Sequence, residues 1–326
     1  MRPLLQQELQ SALGDAYSIE RELPRGGMSR VFLARETALG RKVVIKVLAP
    51  ELAATLSVER FKREIMLAAR LQHPHIVPLL HSGQAGGSLY YTMPWVDGES
   101  LRDRMTRERQ MHIADVSRIL EEVASALGYA HEEGVVHRDM KPENVLFFHG
   151  QAVVLDFGIA KALTASANND EQSGRITQRG MSLGTPVYIA PEQAAGDPEL
   201  DHRADIYALG VVTYEMLCGH PPFSGRSPQQ VMAAHATQKP EPIAARRRDT
   251  PNELAAIVMR CLEKKPSDRP PSALHIARAV SVTPMEGTRV VMPGGGAWRI
   301  PAWLPWAIAG IATIVAIALA VTLARR

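Results

Sequence analysis

The run His137-Arg138-Asp139-Met140-Lys141-Pro142-Glu143-Asn144 is followed, twelve residues after Asn144, by Asp156-Phe157-Gly158. Together the runs place two carboxylates (Asp139 and Asp156), the ammonium of Lys141 and the amide of Asn144 on neighbouring loops. Phosphoryl transfer from a nucleoside triphosphate calls for such a set. One carboxylate orients the attacking hydroxyl, a second carboxylate and the amide hold Mg²⁺, and the lysine stands near the moving phosphoryl group. The spacing follows neither the helical nor the strand period. The stretch is polar between two apolar runs, so packing does not account for it.

The elements that must position these loops are legible upstream and downstream. Val31-Phe32-Leu33-Ala34 and Lys42-Val43-Val44-Ile45-Lys46-Val47 are rich in β-branched residues and separated by turn-formers, which predicts strands over residues 17 to 47. Leu89-Tyr90-Tyr91-Thr92-Met93 predicts another strand. Phe61, Ile65, Ala68 and Ala69 recur at helical spacing, placing Glu64 on a helix. From about Leu101 the pattern turns helical. Val116, Ile119, Leu120, Val123, Leu127 and Ala130 mark one helix, and Leu254, Ile257, Val258, Cys261 and Leu262 another. Residues 163 to 180 are rich in Ser, Thr, Asn and Gln and read as a mobile loop.

The chain has 326 residues, 46% hydrophobic and 22% charged, enough for a sizeable core. A formal net charge of +3, with no basic stripe bearing aromatics, excludes a nucleic-acid partner. Arg246-Arg247-Arg248 reads as a solvated loop. Cys218 and Cys261 sit in apolar helical patterns and read as reduced core thiols. Gln6-Gln7-Glu8 interrupts any apolar leader after Met1. His73, His75 and His81 lack the carboxylates or cysteines of a metal cluster.

An ordered series runs through the chain: a Gly-rich stretch at Gly26-Gly27, Val44-Ile45-Lys46, the helix residue Glu64, the His137 and Asp156 loops, and Ala190-Pro191-Glu192. This series resembles the eukaryotic-like (Hanks-type) serine/threonine protein kinases, and within them the bacterial membrane-anchored branch. The resemblance spans roughly residues 15 to 280. It implies an α+β, two-lobed kinase fold with a small β-sheet N-lobe carrying one key helix and a larger, mainly helical C-lobe. The expected division is an N-terminal extension over 1–16, a kinase domain over 17–280 (N-lobe 17–95, C-lobe 96–280) and a juxtamembrane linker over 281–302. A transmembrane helix over 303–324 and a tail over 325–326 follow.

The resemblance also implies roles. Asp139 is the catalytic base, and Lys141 marks Ser/Thr substrates. Asn144 and Asp156 are the Mg²⁺ ligands, with Mn²⁺ an alternative metal. ATP would lie against Gly26, Gly27, Val31, Val44, Lys46, Met93 and Val96. Lys46 would meet the α- and β-phosphates, held by an ion pair with Glu64. Met93 is the gatekeeper, and the Val96 backbone would bond the adenine. His137 and Phe157 would support the loops by packing. Arg138 resembles the arginine that receives an activation-loop phosphate, for which Thr177 is the candidate. Thr185 would contact Asp139 or Lys141, Glu192 would pair with Arg269, and Asp205 would cap the backbone around Arg138. The sequence departs from the pattern at Pro24 and Ser29, where glycines are usual, and this predicts weaker nucleotide binding.

The C-terminal segment predicts a membrane location. Trp306 to Ala324 is uncharged over 19 residues and would reach ~28 Å as a helix, about one hydrocarbon thickness. Trp298, Trp303 and Trp306 stand at its start as an interfacial belt would. The expectation is a single-pass cell-membrane protein with its kinase domain cytoplasmic, lipid as one partner, and Ser/Thr-bearing proteins as substrates. Ala312, Ala316, Ala320 and Ala324 form a small-residue stripe that would suit a homodimer. No extracytoplasmic sensor domain is expected beyond the two-residue tail.

Overall fold

A computed structural model describes residues 9–24, 29–48, 58–85, 88–157, 186–225 and 227–281. All of them lie in one unit, Met1–Thr283. The segment read as a transmembrane helix, the Gly-rich stretch at Gly26-Gly27, Thr177 and Thr185 lie outside the described residues.

Five antiparallel strands build the first lobe: β1 (Tyr17–Leu23), β2 (Ser29–Glu36), β3 (Arg41–Leu48), β4 (His81–Ala85) and β5 (Ser88–Pro94), in the order β1-β2-β3-β5-β4. Side chains on a strand alternate between the two faces of its sheet. Val43, Ile45 and Val47 therefore join Phe32, Ala34 and Tyr90 on one face. Val44 and Leu48 join Val31, Leu89, Tyr91 and Met93 on the other. Both faces are covered, which explains a continuous apolar run where a half-exposed strand would alternate. Helix α1 (Val58–Ala68) covers the second face through Phe61 and Ile65. Leu9 and Leu13, from the stretch read as an N-terminal extension, cover the first. Gln10 ties that stretch down. Its Nε2 donates to the Tyr17 carbonyl at 2.7 Å and its Oε1 accepts from the Ile19 N–H at 2.9 Å.

The second lobe is mainly helical. Helix α2 (Leu101–Glu108) begins with a capping box in which Ser100 and Asp103 satisfy each other's backbone N–H groups. Helix α3 (Ile113–Glu132) buries Val116, Ile119, Leu120, Val123, Leu127 and Ala130, all of the positions its periodicity predicts. Strands β6 (Val145–Phe148) and β7 (Gln151–Val154) form a hairpin that the helical reading of this half missed. Its turn puts His149 at φ 49° and Gly150 at φ 81°, the positive pair that a two-residue hairpin turn demands. The short α4 (Pro191–Ala194) precedes α5 (Arg203–Cys218), which is buried almost all round and forms the lobe's axis. Then come α6 (Pro228–Thr237), α7 (Ile243–Arg246), α8 (Asn252–Cys261) and α9 (Ala273–Ser281).

Three sequence readings are refined here. Cys218 and Cys261 are free and buried, and burial pushes the Cys261 thiol up to about 12, so both behave as core residues. Arg246 ends helix α7 where a loop was expected, but it is solvated, its exposed side chain pairing with Glu241 at 2.6 Å. Arg247 does not fit that description. Its guanidinium donates to the Met111 and Leu217 carbonyls at 2.6 and 3.3 Å, locking the end of α5 to the segment before α3. Among the described residues no helix is long and apolar enough to cross a membrane, and no group of three or more His, Cys, Asp or Glu side chains is placed to hold a metal.

Candidate active site

The β6–β7 hairpin brings its two flanking loops side by side. The His137–Asn144 loop enters it and Asp156 leaves it. Val145 pairs with Val154, and the Leu155 N–H donates to the Asn144 carbonyl at 2.9 Å. A ten-residue excursion thus returns the chain to where it started. The chain between the lobes is fastened to the same hairpin. Phe147 N–H donates to the Glu99 carbonyl at 3.0 Å, and a Cβ on Gly98 would meet the Phe147 oxygen at 1.9 Å, so only glycine fits.

Within the loop, the Lys141 ammonium donates to Asp139 Oδ2 at 2.6 Å. Asn144 Nδ2 donates to the Asp139 carbonyl at 2.7 Å and to its Oδ2 at 3.2 Å. With its nitrogen so engaged, the Asn144 amide keeps Oδ1 as its remaining donor atom for a metal. The Asp139 side chain is half-exposed. His137 is fully buried. Its Nδ1 accepts from the Asp139 N–H at 3.2 Å, so its Nε2–H donates to the Leu155 carbonyl at 2.8 Å. Its ring stands edge-on to Phe157 at 4.8 Å. Both rings therefore join the two loops.

Asp205, at the first turn of α5, lies beneath this loop. Its Oδ2 accepts from the His137 N–H at 2.7 Å and its Oδ1 from the Arg138 N–H at 2.8 Å. Burial pushes its carboxyl up, but the hydrogen bond from His131 and these neighbours outweigh that and leave it below the usual carboxylate range. Arg138 needs such support because its backbone sits at φ 65°. Gln193 on α4 donates to the Arg138 carbonyl at 2.8 Å, linking the segment after Thr185 to the loop. Burial pulls the Arg138 guanidinium below its ordinary value against the pull of Asp205 and Glu64. Its Nε is buried without a hydrogen-bond partner among the described residues.

Above the loops, Lys46 on β3 forms an ion pair with Asp156 Oδ2. Both side chains are largely buried. Tyr91 donates to Asp156 Oδ1 at 3.0 Å. Asp156 and Asn144 offer hard oxygen donors of the kind Mg²⁺ prefers. Glu64 lies on α1, which faces this cleft, and its charge reaches Arg138. Val31, Val44 and Met93 are buried in the cluster that roofs the cleft, with Val96 packed against it.

Two groups escaped the sequence reading. Tyr91 sits in a run that reads as strand packing. Arg102 on α2 donates to Glu143 at 2.9 Å and to Glu215 at 2.8 Å, and it also bonds Tyr188. Tyr188 in turn donates to Glu215. These residues lie up to 113 positions apart, so no local pattern marks them. By contrast Glu192 and Arg269, 77 positions apart, were paired by resemblance alone, and the structure joins them at 2.6 and 2.8 Å.

Comparison with known proteins agrees with this geometry. Residues 17–280 match the protein kinase domain. The chain is 41% identical over 265 residues to the serine/threonine-protein kinase PknB of Mycobacterium tuberculosis, covering 79% of this chain and 41% of that protein. It is 38% identical over 304 residues to pkn2 of Myxococcus xanthus, covering 89% of this chain and 36% of that one. The chain thus spans less than half the length of these curated relatives. A crystal structure of the Mycobacterium tuberculosis PknI kinase domain superposes with a TM-score of 0.63 at 31% identity, covering 82% of this chain and 94% of that one. The chain belongs to the protein kinase domain family, which implies ATP and a divalent metal as cofactors.

Proposed function

We propose that this protein transfers the γ-phosphoryl group of ATP to serine or threonine hydroxyls of proteins, including Thr177 of its own activation loop. The observation that carries the reading is the Asp139–Lys141–Asn144 constellation set against Lys46 and Asp156 across the cleft. Asp139 accepts the hydrogen of the substrate hydroxyl. The hydroxyl oxygen forms a bond to the γ-phosphorus, the bond from that phosphorus to the β–γ bridging oxygen breaks, ADP leaves, and the proton passes through Asp139 to solvent. Lys141 offsets charge on the moving group, and Lys46 would meet the α- and β-phosphates. Asn144 and Asp156 would hold Mg²⁺, which when bound neutralises the phosphate oxygens.

The unpartnered Nε of Arg138 supports control by loop phosphorylation, because a buried guanidinium donor is a ready partner for a phosphate. Residues 303–324 would tether the domain to the cell membrane with the kinase cytoplasmic, and their alanine stripe would suit a homodimer. The full chain incubated with ATP and Mg²⁺ should carry phosphate on Thr177 by mass spectrometry, and Asp139→Asn should carry none. Phosphate on the variant, or none on either, would sink the reading. The tether has its own check. Deleting residues 303–326 should move the protein from the membrane pellet to the supernatant, and continued sedimentation would refute it.

A further inference from the structure

We propose that Tyr91 is a positioning residue for the metal-binding carboxylate, holding Asp156 from the sheet above it. The inference rests on the reading of Asp156 as a metal ligand. Strand register supplies the first support. Tyr91 on β5 is the Cα partner of Lys46 on β3, so both side chains stand on the cleft face of the sheet. Leu89, Tyr91 and Met93 line that face, while Tyr90 belongs to the opposite one.

The second support is the chemistry of the contact. Tyr91 is buried at 2% exposure, among apolar neighbours. A phenol hydroxyl in such surroundings needs a partner, and this one donates to Asp156 Oδ1 at 3.0 Å. Lys46 takes Oδ2. One carboxylate is thereby gripped through both oxygens by two adjacent strands.

Backbone geometry gives the third. Asp156 sits at φ 65°, in the left-handed region, where surrounding contacts must hold a non-glycine residue in place. The residue after it, Phe157, is anchored to His137. Tyr91 and Lys46 both hold the Asp156 carboxylate, and Tyr91 can keep its bond to Oδ1 when Lys46 turns to phosphate.

Groups of this kind behind a metal ligand change metal affinity by about tenfold or more. The test is Tyr91→Phe in the full chain, which keeps the ring and removes only the hydroxyl. Two readouts are taken: the Mg²⁺ concentration that half-saturates activity at fixed ATP, and the rise in melting temperature that Mg²⁺ adds in the presence of ADP. Expected are a half-saturating Mg²⁺ raised about tenfold and a smaller Mg²⁺-dependent melting rise, with the ADP response in EDTA unchanged. Thr92→Val serves as the control. It removes a buried hydroxyl from the next residue, on the opposite face, and should leave both readouts at wild-type values. Tyr91→Phe with wild-type Mg²⁺ dependence overturns the proposal. So does an equal effect from Thr92→Val, which would mark a general property of β5. A wild-type protein whose melting ignores Mg²⁺ overturns the underlying metal reading, and the proposal with it.

Discussion

Asp139→Asn is expected to lower the phosphorylation rate by about 10³-fold, within the range assigned to loss of a positioned general base. The expected changes in nucleotide affinity and melting temperature are small. The asymmetry follows from where the carboxylate sits. Its Oδ2 receives hydrogen bonds from Lys141 at 2.6 Å and Asn144 at 3.2 Å, and its side chain is 49% exposed. An asparagine can keep one oxygen facing those donors, so the loop has little reason to move. It cannot take the proton of a substrate hydroxyl. The loop is also held by contacts that do not involve the Asp139 side chain, namely Asp205 beneath it and the bond from His137 Nε2 to Leu155. Single-turnover rates with saturating ATP, alongside nucleotide titration, would separate the two effects. A variant retaining more than about a tenth of the wild-type rate would remove Asp139 from the chemistry.

The second large effect is on stability. Arg269→Met is expected to destabilise the domain by about 3–5 kcal/mol, the usual cost of leaving one member of a buried ion pair alone. The Arg269 side chain is 0% exposed, and each of its five N–H donors has an acceptor. Nη1 donates to Glu192 Oε1 at 2.6 Å and to the Arg203 carbonyl at 2.8 Å. Nη2 donates to Glu192 Oε2 at 2.8 Å and to the Lys264 carbonyl at 3.0 Å. Nε donates to the Glu263 carbonyl at 2.8 Å. Methionine fills the volume and leaves a carboxylate and three carbonyls without those donors.

Lysine should rescue little, because three donors around one ammonium cannot reproduce a planar five-donor fork. Adding Glu192→Gln to Arg269→Met should recover part of the loss, since the abandoned charge is then gone. Urea denaturation of the three variants measures this directly. Arg269→Lys matching the wild type would show that the fork geometry contributes nothing. Activity should fall with stability, since Glu192 and Gln193 are neighbours on α4 and Gln193 holds the Arg138 carbonyl.

Much of the molecule was readable before any coordinates. Helix α3 followed from the 3.6-residue period alone, because its apolar stripe packs on a single core. The strands around Lys46 followed from β-branched runs. The β6–β7 hairpin was missed because Val145–Phe148 and Gln151–Val154 are four-residue strands, too short for either period to declare itself. Strand β4, His81-Ser82-Gly83-Gln84-Ala85, carries almost no apolar signal and exists because β5 offers it a ladder.

The same division holds at the site. By itself the sequence determined which side chains could do phosphoryl chemistry, since Asp139, Lys141, Asn144 and Asp156 lie close along the chain at a spacing that loops impose. Only the tertiary structure decided what holds them. Tyr91, Gln193 and the Arg102 cluster act across separations of 27 to 113 residues. The physical reason is that hydrogen bonds and ion pairs form between groups that the packing of distant segments brings together. A linear pattern records only the periodicity of one segment against its own core.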